Sequence, residues 1–309
     1  MPFTVKIIGN GNAGKKQRAA LETLPSMFKI LNDGDRDAPD IATICTPNYA
    51  HAGNAIEHLC THHTHVIIEK PICVSLNLID CLIRMAAHAQ RTVFPIFQYR
   101  FTQHDEIGAR DFFGIEIVRD SNYYSGWRGQ SQYALGGSLL SHGIHLIDLI
   151  MKERGMPIAV TMLDRPRHGT TIEVEQNINV ILKFNTEPHE VQISIQIYKD
   201  KTDPDNAALQ TFNFGNSHQG YIIQFIGIHE AITADPIPTL IGLPTLAEAR
   251  QSMEVITALY YAAMTKEWVS LPLLDDHPFH RGWQQFFEQR RQHIQAFQKT
   301  HESPDHPAG

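Results

Sequence analysis

Two residues of this chain stand where proton chemistry could use them. Lys70 lies in Glu69-Lys70-Pro71, directly after the apolar run His65-Val66-Ile67-Ile68, and His145 lies in the stretch from Gly136 to Asp148, GGSLLSHGIHLID. A histidine titrates close to neutrality without tuning. A lysine acts as a base only when burial or a neighbouring cation lowers its pKa. Protonated, it instead donates a hydrogen bond to an oxygen that gains charge during reaction. On these grounds His145 is assigned as acid/base and Lys70 as polariser and relay, and the two roles can be exchanged. Ser141 lies four residues before His145 and shares its helix face. Ser141 and His142 are placed on the substrate side, with His142 as a packing or supporting residue. Asp148, one turn further on, either orients the His145 ring or satisfies a packing contact.

A chemistry-bearing pair needs a scaffold. Thr4 to Ile8 is a β-branched run that ends in Gly9-Asn10-Gly11-Asn12-Ala13-Gly14, followed by a helical segment from Lys15 to Leu24. Strand, GxGxxG turn and helix in that order read as a dinucleotide site. Gly9 permits the turn, Gly11 lets a pyrophosphate approach the backbone, and Gly14 lets the helix close on the strand. The helix N-terminus offers free N–H groups to the phosphates. A second strand is expected over Met27 to Leu31. Asp33 follows 19 residues after Gly14, close to the spacing of the carboxylate that holds a ribose 2′-hydroxyl. Arg36 nearby suits a 2′-phosphate, and Asn32 to Asp35 also reads as a simple turn. The cofactor is therefore NAD or NADP, with NAD favoured.

The next strand, Asp40 to Cys45, arrives too soon for a full crossover helix. A loop or clipped helix is expected there, with a shallow adenosine pocket. Thr46, Pro47, Asn48 and His51 follow that strand at the sheet edge where ligands bind in open α/β folds. A helix from about Ala50 to Cys60, the strand His65 to Ile68, a helix opened by Ser75 and a strand from Thr92 to Phe97 complete a doubly wound parallel sheet.

Beyond it, Tyr123-Tyr124-Ser125-Gly126-Trp127-Arg128-Gly129 combines aromatic rings with an arginine. Tyr124, Trp127 and Arg128 suit a sugar platform and an anion clamp. Ala159 to Leu163, Glu173 to Phe184, Glu190 to Tyr198, Leu209 to Phe214 and Tyr221 to Ile226 read as strands of a large, mainly antiparallel open sheet. Thr245-Leu246-Ala247-Glu248 is a capping box that opens a helix to about Met264. The polar segment from Gln284 carries a further helix that frays toward Gly309. The expected division is a dinucleotide-binding domain over residues 1–98 and an α+β domain over 99–309.

At 309 residues, 42% hydrophobic and 19% charged, two domains with a substantial core are expected. A formal charge of −7 argues against a nucleic-acid footprint, which needs a basic face. No signal peptide and no apolar stretch near the ~20 residues of a membrane span are read. The four cysteines lack CxxC spacing and read as reduced thiols of a cytoplasmic protein. His62-His63-x-His65 and the pair His142/His145 lack further ligands at suitable spacing, so no metal is expected.

The glycine loop, CTPNYAH (Cys45 to His51), EKP, FQYRF (Phe97 to Phe101) and GGSLLSHGIHLIDL, in this order, resemble the glucose–fructose oxidoreductase, inositol dehydrogenase and rhizopine-catabolism (Gfo/Idh/MocA) family. The resemblance implies that residues 1–98 are an NAD(P)-binding Rossmann domain and residues 99–309 a substrate and oligomerisation domain whose open sheet makes a homodimer or homotetramer contact. It implies that Lys70 and His145 are the catalytic lysine and histidine, and that Thr46, Pro47, Asn48, Glu69 and Pro71 lie by the nicotinamide. It also implies hydride transfer between nicotinamide and a ring carbon of a sugar, cyclic polyol or nucleotide sugar. The chain departs from the family at Ser141, where many members carry an aspartate. That departure and the clipped crossover keep two other expectations open. One is an enzyme that retains NAD and only borrows hydride, as a hydrolase or epimerase does. The other is a non-catalytic binding or regulatory protein of the same fold.

Overall fold

The computed structural model describes residues 1–32, 35, 38–119, 121–165, 171–198, 211–234 and 242–301. Five short parallel strands form the first sheet: β1 (Phe3–Ile8), β2 (Phe28–Ile30), β3 (Ile41–Ile44), β4 (His65–Ile68) and β5 (Val93–Pro95), in the order β2-β1-β3-β4-β5. Side chains alternate between the two faces of a strand. Ala42, Ile44, Val66 and Ile68 accordingly share a core with α2 (His51–Cys60) and α3 (Leu76–His88), while Val5, Ile41, Ile67 and Phe94 face the other way, toward α1 (Asn12–Glu22). Ser75 caps α3, its hydroxyl accepting from the Leu78 N–H.

The second sheet has the order β10-β7-β8-β9-β6, built from β6 (Phe112–Val118), β7 (Ala159–Arg165), β8 (Asn177–Lys183), β9 (Glu190–Tyr198) and β10 (Val269–Ser270). Its pairs are antiparallel except β6 with β9, which is parallel. One face is covered by the short α4 (Ser131–Ala134), α5 (Ile144–Arg154) and α7 (Leu246–Thr265). The Thr245–Glu248 capping box is fully formed at the start of α7, and α8 (Gln284–His301) follows at the far end. The helical run Ser131–Arg154 is long and apolar enough to span a membrane by length and composition, but 78% of its apolar window is buried inside the protein.

Three strand expectations need correction. Residues 173–176 precede β8 rather than forming part of it. Of the strand expected at 209–214, the first two residues lie outside the described ones and Thr211 makes only an isolated bridge to Gly114. The largest difference is at Tyr221 to Ile226, which is helical within α6 (Ser217–Thr233). Its run Tyr-Ile-Ile-Gln-Phe-Ile is apolar enough to read as a buried strand, an ambiguity that periodicity alone does not resolve. The buried positions Gly220, Tyr221, Gln224, Phe225, Ile228 and Ala231 repeat at helical spacing.

The placement of α6 explains the short β2–β3 connection. With no crossover helix among the described residues there, α1 alone would leave part of the first sheet bare. Tyr221, Phe225 and Ile228 of α6 cover it, although they come more than a hundred residues after β5. Gly220 lets the helix sit against the Gln98 carbonyl, where a Cβ would collide. Phe225 is fully buried. Phe225→Ala should therefore destabilise the protein by about 3–5 kcal/mol, read as a lower urea midpoint, because the cavity opens directly beneath the first sheet.

Candidate active site

A cleft of about 670 Å³ runs between the glycine loop and the second domain. On one wall, Gly9 (φ 109°) packs against the Cys45 backbone and Gly14 against the Gly9 carbonyl, so closely that a Cβ at either would collide. Space beside Gly11 is open, and no side chain caps the first turn of α1. Unfilled N–H groups at a helix N-terminus with room before them suit a pyrophosphate. A nicotinamide dinucleotide therefore fits the residues present. Lys16, on the first turns of α1, also lines the cleft and adds a cation that the sequence reading missed. Asp33 and Arg36 lie outside the described residues. Gly14 is buried behind the loop rather than in the cleft.

Asn10, Asn12, Ala13, Thr46, Pro47, Asn48, His51, Glu69, Lys70 and Pro71 all border the cleft. Several of them also hold the site together. His51 is buried, its ring nitrogens 2.6 Å from the Pro71 carbonyl and 2.7 Å from the Thr46 carbonyl, so it ties two cleft loops. Burial lowers its pKa, and the two carbonyls oppose that drop. Asn48 donates to the Ala134 carbonyl at 2.8 Å, bridging the walls. Glu69 accepts from Gln17 at 2.7 Å and from the Tyr221 hydroxyl at 2.8 Å, joining α1, the end of β4 and α6.

Lys70 Nζ donates to the main-chain carbonyl of Ser141 at 2.6 Å. Residues Leu139–Gly143 form a π-turn, with the Ile144 N–H bonding back to Leu139. Such turns break the regular helical pairing and offer carbonyls to outside donors. The Ser141 side chain is engaged elsewhere. Its hydroxyl donates to the Gly137 carbonyl at 2.7 Å and lies 2.8 Å from His142 Nδ1. Burial brings the Lys70 pKa down to about 8, with Glu69 opposing and Lys16 adding to the drop.

His145 also lines the cleft, among the rings of Phe97, Tyr99 and Phe214 at 6.2, 4.8 and 6.5 Å. Burial first, then Lys70, His142 and Lys16, hold its pKa well below the usual range, so the ring is neutral. Among the described residues its Nδ1 has no hydrogen-bond partner. Asp148 does not orient it. That carboxylate pairs through both oxygens with Arg100, at 2.6 and 2.7 Å. Burial first, then Lys70, Arg119 and Lys16, bring His142 down to about 3. Its Nε2 lies 3.3 Å from an Arg119 nitrogen. Arginine can only donate, so the proton of the neutral ring is on Nδ1 and goes to Ser141.

Tyr124, Trp127 and Arg128 border the cleft as expected, joined by Tyr123, Arg119 and Tyr99. Arg119 carries no spacing signal in the sequence, being a lone cation just past β6. Among the described residues, no group of three His, Cys, Asp or Glu side chains is arranged to hold a metal.

The helix that bears His142 and His145 is anchored by a residue that the sequence reading placed inside a strand. Glu175 is fully buried. Its carboxylate accepts from the Gly137 N–H at 2.9 Å, the Leu139 N–H at 3.1 Å and the Tyr260 hydroxyl at 2.9 Å. Gly137 is required there because a Cβ would run into the Glu175 backbone. Burial raises the Glu175 pKa to about 7 against the pull of those donors.

Residues 4–97 match the profile of the Gfo/Idh/MocA oxidoreductase family, NAD-binding Rossmann fold. The match spans the amino-terminal domain. No curated protein matches the chain. Among solved structures, the WlbA dehydrogenase of Bordetella pertussis, in complex with NADH and UDP-GlcNAcA, superposes with a TM-score of 0.70 at 17% identity, covering 89% of this chain and 100% of that one. Levoglucosan dehydrogenase, with NADH and levoglucosan, gives 0.66 at 16% identity over 88% and 100%. The aldose–aldose oxidoreductase of Caulobacter crescentus gives 0.65 at 18% identity over 88% and 100%. At these identities the likeness is one of fold. The fold of a Rossmann domain followed by a sheet-based second domain is thus shared over 88–89% of this chain.

A pH dependence of stability follows from Glu175. Its folded pKa, about 7, lies above the ordinary carboxylate value of 4.5. Between these values the folded state holds a proton that the unfolded state has lost, so stability falls as pH rises through that window. The contribution is about 3 kcal/mol. The buried histidines His142 and His145, whose pKa values are lowered, change stability in the opposite sense below about pH 6.5, so the readout is a difference: the urea midpoint of Glu175→Gln relative to the parent should rise between pH 5 and pH 8.

Proposed function

We propose that this chain is an NAD(P)-dependent dehydrogenase acting on a CH–OH group of a sugar, cyclic polyol or nucleotide sugar. The observation that carries the reading is the convergence of Lys70, at the end of a Rossmann strand, with the helix bearing His142 and His145, across a cleft whose opposite wall is the glycine loop. When bound, the nicotinamide supplies the hydride acceptor. The protein handles the proton and the geometry.

Of the two candidate bases, Lys70 suits the task better. Its pKa near 8 leaves a usable neutral fraction at physiological pH, whereas the His145 ring is held neutral and is a weak base. Lys70 takes the hydroxyl proton, and the Ser141 carbonyl aims its amine. His145 lends a neutral ring N–H to the substrate oxygen. This exchanges the roles that the residue types alone suggested. The glycine loop and helix N-terminus hold the pyrophosphate, and Thr46 to Asn48 with Pro71 border the nicotinamide end.

The substrate classes rest on the relatives, which bind UDP-GlcNAcA and levoglucosan. The face of the second sheet turned away from its helices exposes Leu163 and Val118, and we place the homodimer or homotetramer contact there. All four cysteines are free thiols, which suits the cytoplasm.

Fluorescence titration with NADH and NADPH, with identification of any co-purified nucleotide, tests the cofactor assignment. Binding of neither by folded protein would overturn it. With a productive sugar, oxidation should rise with pH by ~10-fold per pH unit, as expected of a single base, and level off above about 8. The sign follows from the base having to be neutral, and the reverse reaction should show the opposite trend. Lys70→Met should lower turnover by roughly 10²–10⁴-fold while NADH binding persists. A substrate turned over without net NADH formation would instead favour an enzyme that only borrows hydride.

A further inference from the structure

The charges lining the cleft are unequal. Four cationic side chains border it, Lys16, Lys70, Arg119 and Arg128, against one carboxylate, Glu69, which already accepts from Gln17 and Tyr221. The chain as a whole has a formal charge of −7, so this concentration runs against its overall balance. Lys16 belongs to the glycine-loop wall, where the dinucleotide phosphates fit, and Lys70 is the proton-handling group. Arg119 and Arg128 are left over, and they lie on the opposite wall.

Arg119 and Arg128 share one aromatic support. The Arg119 guanidinium lies 4.7 Å from the Tyr123 ring centre, and that of Arg128 lies 5.2 Å from the same ring and 4.6 Å from Trp127. Neither is paired with a carboxylate among the described residues. Arg119 is held from its own element by the Val118 carbonyl at 2.9 Å and from the neighbouring helix by neutral His142, and its Nε is buried without a partner. A neutral imidazole orients a guanidinium without cancelling its charge. The chain of contacts from Arg119 to His142, from His142 to Ser141 and from the Ser141 carbonyl to Lys70 puts this group beside the reacting centre. A planar guanidinium braced on aromatics and still charged is the group suited to binding a carboxylate or phosphate.

We propose that the substrate is an acidic sugar or polyol, whose carboxylate or phosphate is bound by Arg119, with Arg128, which lies against the same Tyr123 ring, contributing. Arg119 is then a specificity-determining residue. This rests on the dehydrogenase reading for the identity of the site, but it is testable without turnover.

The probes are D-glucuronate, glucose 6-phosphate and glucose, titrated by calorimetry against the protein with NADH bound and against the protein alone. One or both acids should bind about 10- to 100-fold tighter than glucose, the range of a charge-assisted hydrogen-bonded contact, and rising salt should shrink the difference. The tighter acid identifies carboxylate or phosphate as the preferred anion. Arg119→Gln should remove the preference while NADH affinity stays as in the parent, and Arg119→Lys should restore part of it. Equal binding of acids and glucose, binding of none of the three, or a preference that survives Arg119→Gln would each overturn the proposal. Failure of NADH to bind would remove the dehydrogenase reading instead, and the acid–glucose contrast on the protein alone would still decide the question of the anion.

Discussion

The hydrogen bond from Lys70 to the Ser141 carbonyl is the contact on which the site depends. It joins the last residues of a Rossmann strand to the helix that carries both histidines, and so fixes one domain against the other at the reacting centre. A carbonyl orients an ammonium without adding a full negative charge. A carboxylate in that position would hold the lysine protonated. With a carbonyl partner, burial governs and the pKa settles at about 8. Lys70 therefore remains a titrating lysine, met by main chain that the π-turn at Leu139–Gly143 leaves available.

That geometry needs a helix that cannot slide. Its first N–H groups are held by the buried Glu175 carboxylate, which also takes the Tyr260 hydroxyl. Gly143 sets the helix close on the second sheet, where a Cβ would press on Ile195. Further along, Asp148 is locked to Arg100, which also reaches Glu248 at 3.0 Å. The arginine of the FQYRF segment thus ties the end of the Rossmann domain to α5 and α7. Buried charges of this kind cost desolvation energy and are tolerated when fully bonded, and each of these is met by a specific partner.

Much of this was legible in the residues, for reasons that can be named. Ser75 and Thr245–Glu248 announced their helices because capping is local chemistry. The glycine loop and Lys70 were legible because a strand end followed by a special turn leaves a short signature. What was not legible was non-local. The apolar run in α6 reads equally as strand or helix, and only the bare face of the first sheet, created by the short β2–β3 connection, decides that it is a helix. Glu175 looked like the start of a strand, since nothing nearby in sequence shows that Gly137 and Leu139 need an acceptor. Arg119 has no motif around it, and its importance comes from His142 and Tyr123, which the fold brings to it. Likewise, the ranking of Lys70 over His145 as base depends on burial, which residue type does not reveal.

The acidic groups near the cleft and the basic ones are used differently. Glu69 and Glu175 bind inward, to Gln17 and Tyr221 in one case and to helix N–H groups and Tyr260 in the other. Their charge is spent on holding elements together. The cations meet carbonyls, aromatic faces and a neutral imidazole, none of which neutralises them. A partly enclosed cleft strengthens such fields relative to bulk water. Structural anchoring by carboxylates and ligand recognition by unneutralised cations are then two sides of one arrangement. The anchors hold the elements within each wall, and the cations leave the space between the walls with an excess of positive charge among the described residues.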